Sequence, residues 1–333
     1  MKKLQQLLMA GLVLGAAAVL VISANVSAAT SSGNGMRVSP VRTDLVMQPG
    51  DSKTISVYVQ NVTNGTENLR VIANDFVASE DESGAPALLL NGEANDRHGL
   101  KKYISAPGTL TIEAGKQKEV RVTISIPKGL PGGGYYGAIR FAPASTSSTE
   151  NANVSLSGSV GSLILVRVPG DVTEKMSLVS FDARSKNSKT QEDSARTVFT
   201  SGKNVWATVR LRNEGNIQEQ PFGKILFKKG NTTLGTYELN AGDQPANVLP
   251  DSIRKFSIQL KDVGSFGKYT LEGNFGYGTA GQLLSAKTTF YVIPVYMIFL
   301  GIGIVALILF LIFGLPRLIR NYNKRVLRKA GRR

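Results

Sequence analysis

The chain contains no cysteine and only one histidine among its 333 residues. The absence of cysteine excludes disulfide bonds, thiolate metal sites and cysteine nucleophiles. His98 is the single imidazole available for a Ser-His-Asp arrangement or for a zinc site. The composition therefore favours a protein that is not an enzyme and has no cofactor. Paired carboxylates of the glycosidase type stay open as an alternative.

Charged residues are unevenly distributed along the chain. The formal net charge of +15 comes from 39 Lys and Arg against 24 Asp and Glu. Two basic residues lie at the N-terminus and eight in the last 17 residues, so the part between them has 29 basic and 24 acidic residues. A balance of about +5 is an ordinary surface charge. We therefore expect no nucleic-acid partner.

A long apolar run, Val295–Leu315, precedes a basic C-terminus. Its 21 uncharged residues match the roughly 30 Å hydrocarbon core of a bilayer. We predict a membrane-spanning helix over residues 293–316, with a buried helix of a soluble core as the alternative. Residues 317–333 are predicted to be a cytoplasmic tail, because an excess of Lys and Arg marks that side of a membrane. The basic residues of the tail are Arg317, Arg320, Lys324, Arg325, Arg328, Lys329, Arg332 and Arg333.

The N-terminus has the three regions of a secretory signal peptide. Lys2 and Lys3 are followed by the apolar run Leu7–Ile22 and then by small residues that end at Ala29. We predict a signal peptide over residues 1–29, with an uncleaved signal anchor as the alternative. Either form exports the segment between the two apolar runs. With a signal peptide, we expect a single-pass protein of the cell membrane with extracellular N-terminal domains and a cytoplasmic C-terminal tail. A cysteine-free exported chain fits a bacterial envelope.

Short segments with alternating apolar and polar residues fill the exported part. Ile55–Val59 and Val120–Ile126 each place their apolar side chains on one face, as half-buried strands do. Leu69–Ala73 is predicted to return antiparallel as the partner of the Ile55–Val59 strand. We predict that residues 36–170 form the first β-sandwich domain.

The same pattern is repeated after residue 170. Apolar and polar residues alternate in Val205–Leu211, and Trp206 lies on the face opposite to the apolar residues. The role of Trp206 is left open among packing on the outer face of the strand, contact with the first domain and contact with a partner. Lys224–Phe227 and Thr236–Leu239 are predicted to form a hairpin, whereas residues 182–196 are predicted to be a polar connection.

Strand spacing near 8 to 12 residues with almost no helical periodicity is typical of sandwich folds. We therefore predict an all-β fold of two tandem immunoglobulin-like β-sandwiches, with residues 171–292 as the second, followed by one C-terminal transmembrane helix.

Residues 78–99 lack a strand pattern and are rich in Gly, Asn and acidic residues. Glu80, Asp81 and Glu82 lie together in this segment, and His98 lies near its end. Their spacing differs from that of a D-x-D-x-D-G calcium loop. We predict a solvated charge cluster and leave metal binding by this loop open.

Tyr135, Tyr136 and Arg140 lie in one predicted strand after a Pro/Gly turn. An aromatic pair beside a guanidinium group suits stacking on a ligand, so these three residues are the candidate partner-binding residues. Tyr is also an ordinary strand former, and a packing role is the alternative.

Several short motifs give the chain a resemblance to a bacterial family. These motifs are Val38–Pro40, Gln48–Gly50 before a strand that ends in Asn61, Gly133–Arg140, Arg212–Asn216 and Pro221-x-Gly223. The chain resembles membrane-anchored surface proteins with a WxL-interacting, peptidoglycan-binding type of N-terminal domain. The last strand, the helix and the basic tail occupy the positions that this family would give them. Similar Ser-Pro and Pro-Gly signals occur in other sandwich domains, including pilus-chaperone-like ones.

The resemblance implies a non-enzymatic bacterial cell-surface protein. It implies binding of cell-wall polymer or of surface protein partners through the β-sandwich domains. The alternative function is a scaffold or chaperone-like subunit of an envelope or pilus assembly complex, in which the helix packs with other membrane subunits. The resemblance places no binding motif on particular residues.

Overall fold

The structure is a computed structural model that describes residues 35–144, 158–186 and 193–330. The predicted signal peptide, residues 1–29, lies outside the described residues. Within these ranges the regular structure consists of two pairs of β-sheets, a 3-10 helix (Lys101–Tyr103) and one C-terminal helix. The fold is therefore all-β with two tandem sandwiches followed by an apolar helix, as the sequence predicts.

The first sandwich pairs a four-stranded sheet with a six-stranded sheet. Its strands are β1 (Met36–Ser39), β2 (Arg42–Val46), β3 (Ser52–Asn61), β4 (Glu67–Ala78), β5 (Pro86–Leu88), β6 (Ile104–Ser105), β7 (Thr109–Ile112), β8 (Gln117–Ser125), β9 (Gly133–Pro143) and β10 (Val160–Val168). One sheet has the order β1-β3-β8-β6; the other has the order β2-β10-β9-β4-β5, with β7 also paired to β4. All pairs are antiparallel except β2 with β10, which is parallel.

The core of this sandwich follows the predicted alternation. Val57, Val59, Val120, Val122 and Ile124 are buried between the sheets, with at most 2% of their surfaces exposed. Because β3 pairs with β8 in register, these side chains lie on the same inner face.

The predicted pairing of Leu69–Ala73 with the preceding strand is wrong. The segment belongs to β4, which lies in the opposite sheet and pairs with β7, β9 and β5, whereas β3 pairs with β1 and β8. The side chain of Asn61 holds this crossing between the sheets. Its Nδ2 donates to the carbonyls of Gly65 (2.6 Å) and Ile112 (3.1 Å), and its Oδ1 accepts from the N–H of Thr63 (2.8 Å).

The second sandwich pairs a four-stranded sheet, β12-β11-β14-β17, with a five-stranded sheet, β13-β19-β18-β15-β16. Its strands are β11 (Met176–Lys186), β12 (Asp193–Ala195), β13 (Val198–Phe199), β14 (Val205–Asn213), β15 (Phe222–Lys229), β16 (Thr232–Leu239), β17 (Ile253–Gln259), β18 (Gly267–Tyr277) and β19 (Gln282–Val292). The predicted hairpin is confirmed, because β15 and β16 pair antiparallel around residues 230 and 231.

The predicted polar connection over residues 182–196 is wrong at both of its ends. β11 continues to Lys186 and pairs with β12, which begins at Asp193. β11 is paired to β14 on its other side as far as Ser185, so backbone hydrogen bonds sustain the strand although its sequence is polar.

The core of the second sandwich is built from the alternating face of β14 and from stacked aromatic rings. Val205, Ala207, Val209 and Leu211 have no exposed surface. The rings of Phe227, Tyr269 and Phe290 stack with centroid separations of 5.3 to 6.2 Å.

β14 leaves the core through a crossing of the same design as the one after β3. Asn213 Nδ2 donates to the carbonyls of Ile217 (2.6 Å) and Val248 (2.9 Å), and Oδ1 accepts from the N–H of Gly215 (2.8 Å). Both asparagines are fully buried and bond a backbone N–H two residues on and a carbonyl four residues on. The two sandwiches therefore have the same pattern of asparagine hydrogen bonds where the chain crosses from one sheet to the other.

The C-terminal helix follows β19 after two residues. It consists of α1 (Val295–Leu309), a π-helical turn (Phe310–Gly314) and α2 (Leu315–Ala330). The segment Val295–Lys324 is long and apolar enough to cross a membrane, and none of its most apolar part is buried against the rest of the chain. Helical backbone continues past the predicted span into the basic tail as far as Ala330.

Candidate binding site between the two sandwiches

The two sandwiches meet where the Gly133–Arg140 motif faces the turn after β14. The N–H of Gly134 donates to the carbonyl of Asn216 (2.8 Å), and Asn216 Nδ2 donates to the carbonyl of Gly132 (3.2 Å). The hydroxyl of Tyr136 donates to Gln218 Oε1 (2.9 Å). Two of the motifs that carry the family resemblance are therefore brought together by the fold.

Glu82 of the predicted charge cluster contributes to the same contact, whereas Glu80 and Asp81 are exposed to solvent as predicted. The carboxylate of Glu82 accepts two hydrogen bonds from the guanidinium of Arg210, one of them 2.6 Å long. The N–H of Lys255 donates to the carbonyl of Glu82 (2.8 Å). The backbone turns at this contact, with φ values of +59° at Glu82 and +70° at Gly84.

An apolar cluster lies beside these polar contacts. Phe76, Tyr136, Ala138 and Leu165 are buried on the outer face of the six-stranded sheet, and Leu249 of the second sandwich packs against them. Apolar contacts and hydrogen bonds together hold the junction between the two sandwiches.

The candidate partner-binding residues lie close to this junction. Tyr135 and Tyr136 are 6% and 1% exposed, and the hydroxyl of Tyr135 donates to the carbonyl of Pro131 (3.0 Å). Arg140 is half-buried, and its Nε donates to Asn74 Oδ1 (3.1 Å). Both tyrosine rings thus pack inside the structure, and the binding role of the three residues stays a prediction.

His98 and Trp206 also have packing partners. His98 Nδ1 lies 2.8 Å from the carbonyl oxygen of Gly134, and the ammonium of Lys186 lies 3.9 Å from the centroid of the Trp206 ring. In the part of the chain that the structure describes, no group of three or more His, Asp or Glu side chains is placed to hold a metal ion.

A cleft of about 450 Å³ opens at the edge of the junction. Its lining combines residues from β2, from β10 and from the connections of the second sandwich. The polar residues of the lining include Asp44, Arg167, Glu174, Glu219, Asn247 and Thr279.

Glu174 is held by several donors in this cleft. One oxygen accepts from the backbone N–H (2.7 Å) and the hydroxyl (2.8 Å) of Thr279, and the other accepts from Arg167 (3.2 Å). Partial burial raises the pKa of Glu174, but the bonds from Thr279 and Arg167 outweigh it and leave the pKa below its ordinary value.

The surroundings of Glu219 have the opposite effect on its pKa. Only 4% of its surface is exposed, and one carboxylate oxygen accepts a single bond from the N–H of Gly278 (3.1 Å). Burial, followed by the negative charge of Glu174, raises the pKa of Glu219 to about 7. The carboxyl group is therefore poised to change its charge near neutral pH.

Glu219 is not among the candidate residues predicted from the sequence. The available signal was strand parity, because Glu219 lies two residues after Ile217, which is 1% exposed. Residues two apart in an extended segment point to the same side, so an acidic residue in phase with a core residue is expected to be buried.

Residues 43–143 match the family model described as WxL Interacting Protein, peptidoglycan binding domain. This match confirms the family resemblance predicted from the sequence. It supports a cell-surface binding role. No curated protein matches the chain.

Several solved structures of chaperones resemble the chain. The class 5 fimbriae chaperone CfaA is 13% identical over 78% of this chain and 100% of its own, with a TM-score of 0.36. The E. coli chaperone DraB is 12% identical over 78% of this chain and 96% of its own, with a TM-score of 0.32.

The peptidoglycan-binding match ends at Pro143, the last residue of β9. It therefore contains Glu82 and Tyr136, which contact the second sandwich. Of the residues that line the cleft, Asp44 lies within the match, whereas Glu174 and Glu219 lie beyond it. The cleft lies at the border between the matched segment and the second sandwich.

Proposed function

We propose that this chain is a non-enzymatic bacterial cell-surface protein that binds cell-wall polymer through its first sandwich. The observation that carries the proposal is the match of residues 43–143 to a peptidoglycan-binding domain family. A β-sandwich offers loops and sheet edges to a polymer without requiring a catalytic group. Surface proteins are the second class of partner, in keeping with the WxL-interacting description of that family.

The C-terminal helix is the proposed membrane attachment. It is long and apolar enough to span a bilayer, and the basic residues after it favour a cytoplasmic tail. We propose that both sandwiches, as domains over residues 36–170 and 171–292, lie outside the membrane on the wall side.

Sedimentation with isolated peptidoglycan tests wall binding. Full-length protein in detergent micelles is incubated with insoluble peptidoglycan and, as a matched polysaccharide control, with cellulose. We expect the protein to pellet with peptidoglycan, to remain soluble with cellulose, and to be released by soluble peptidoglycan fragments. Equal pelleting with both polymers, or none with peptidoglycan, would refute wall binding.

A further inference from the structure

Glu219 and Asn247 line the cleft between the sandwiches, and each has one buried side-chain oxygen without a hydrogen-bond donor. These oxygens are Glu219 Oε1 and Asn247 Oδ1, and no donor among the described residues reaches either atom. The two residues are 4% and 8% exposed. Buried polar atoms in folded proteins nearly always have a partner, so the pair indicates a place for an external donor.

The backbone brings these two residues together. The N–H of Glu219 donates to the carbonyl of Val248 (3.0 Å), and the N–H of Val248 donates back to Glu219 (2.8 Å). Asn247 is the neighbour of Val248, and its side chain and that of Glu219 line the same cleft. The cleft has a volume of about 450 Å³, which is enough for a fragment of a peptide or another small ligand.

The charges around the cleft favour a cation. Asp44 is paired with Arg42 at 2.7 Å, and Glu174 is paired with Arg167 at 3.2 Å. Glu219 has no ion-pair partner within the described ranges and is the remaining negative charge when it is ionised. A positively charged ligand would supply the missing counter-charge.

We propose that this cleft binds a primary ammonium group, with Glu219 and Asn247 as its acceptors. An ammonium group has three N–H donors and no acceptor, so it satisfies both oxygens and neutralises the carboxylate. A hydroxyl or an amide satisfies the oxygens but leaves the charge of Glu219 buried without a partner. This pair of acceptors therefore selects amines over neutral sugars.

Thermal unfolding of the full-length protein in detergent micelles provides the test, with the fluorescence of Trp206, the single tryptophan, as the signal. The probes are Nα-acetyl-lysine methylamide, which has a side-chain ammonium, and its neutral counterpart Nα-acetyl-norleucine methylamide. Glycinamide is the third probe and distinguishes an α-ammonium from a side-chain one. At pH 8 and constant ionic strength we expect at least one ammonium probe to raise the midpoint with concentration, and the neutral probe to leave it unchanged.

Glu219→Gln keeps the shape of the side chain and removes its charge. We expect this variant to bind the ammonium probe at least roughly tenfold more weakly than the wild type, because the charge-assisted hydrogen bond is lost. Glu113→Gln, at an exposed position in the turn before β8, is the matched control and should bind the probe as the wild type does.

The pH dependence of the wild type gives a second measurement that needs no variant. Glu219 faces Glu174 and Arg167 across the cleft, with Asp44 in the same lining. Raising the pH from 6 to 8 ionises Glu219, and the apparent affinity for Nα-acetyl-lysine methylamide should rise roughly tenfold.

Equal midpoint shifts with the ammonium and neutral probes would overturn the proposal. So would unchanged probe affinity in Glu219→Gln, or an affinity that does not change between pH 6 and 8. Because the probes are small molecules rather than wall polymer, these outcomes are independent of whether the first sandwich binds the wall.

Discussion

At the scale of single residues, Glu219 shows how packing and electrostatics oppose each other. Glu219 lies two residues after the core residue Ile217, and its side chain is buried on the same side of the chain. The neighbouring carboxylate of Glu174 is already held by Thr279 and Arg167, so Glu219 has a neighbour of like charge and one backbone donor. A buried group in that position is costly to ionise.

We expect Glu219→Gln to stabilise the protein at pH 8 and to leave stability unchanged at pH 4. The pKa of Glu219 is about 7 in the folded protein against an ordinary value of 4.5. Between these values the folded state binds more protons than the unfolded state, so the contribution of Glu219 to stability is present below about pH 4.5 and is lost as pH rises through 7. The glutamine avoids this loss, which amounts to roughly 1 to 3 kcal/mol above pH 7.

Chemical denaturation of both proteins at pH 4 and pH 8 measures this difference. Comparing the wild type with Glu219→Gln at each pH cancels the contributions of the other acidic groups to stability. Glu272 is one of these groups, and its pKa is lowered to about 2 by Lys228 and Lys287. A stability difference that is the same at both pH values would contradict the expected ionisation of Glu219.

The partner-binding residues proposed from the sequence illustrate a limit at this scale. A strand of alternating residues presents one face to the core, but both Tyr135 and Tyr136 are buried. The second tyrosine is buried because the outer face of β9 is covered by Leu249 and Gln218 of the second sandwich. Period-2 patterns describe one sheet and carry no information on what covers its other side.

At the scale of secondary-structure elements, the crossings after β3 and β14 depend on single asparagine side chains. Asn213 bonds three backbone groups of the crossing, at 2.6 to 2.9 Å, from a fully buried position. Asn61 makes the equivalent bonds in the first sandwich. Each side chain replaces the hydrogen bonds that the backbone loses where it leaves one sheet for the other.

We expect Asn213→Ala to destabilise the protein by roughly 2 to 4 kcal/mol, because two carbonyls and one N–H would lose their buried partner. Asn231→Ala, in the exposed tip of the β15–β16 hairpin, is the control and should change stability by less than about 0.5 kcal/mol. Denaturation followed by Trp206 fluorescence measures both. Similar small effects of the two substitutions would show that the crossing does not depend on the asparagine.

Strands were predictable from the sequence, but their partners were not. The alternation in Val205–Leu211 and Val120–Ile126 corresponds to buried core strands, because period 2 is a local property. The pairing of Leu69–Ala73 with β3 was predicted wrongly, because adjacency along the chain favours a hairpin, whereas Asn61 directs the chain to the other sheet. The polar residues up to Lys186 give no apolar alternation at the end of β11, which is extended by backbone pairing with β12.

At the scale of the whole molecule, the architecture was predictable and the junction was not. The fold class and the apolar C-terminal helix follow from strand spacing and from the length of one apolar run. The contact between the sandwiches involves the Glu82–Arg210 pair and the Tyr136–Gln218 bond, whose partners lie 128 and 82 residues apart. No local pattern encodes such pairs, so the cleft at their edge became visible only in the structure.

The orientation of the chain in the membrane is a further prediction at this scale. Because the chain has no cysteine, single cysteines report their side of the membrane without background. We expect Ser265→Cys, exposed in the second sandwich, to react with a membrane-impermeant maleimide in intact cells whose wall admits the reagent. Asn321→Cys, beyond the apolar part of the helix, should react only after the membrane is permeabilised, because the basic residues around it favour the cytoplasmic side.

The cysteine-free wild type controls for nonspecific labelling, and reaction of both variants after permeabilisation confirms that each site is accessible. The proposed topology requires opposite behaviour of the two variants in intact cells. Identical behaviour of the two variants in intact cells would contradict a single pass between the two sites, and protection of Ser265→Cys with labelling of Asn321→Cys would invert the orientation. The two sandwiches would then lie on the side away from the wall, which is incompatible with wall binding by residues 43–143.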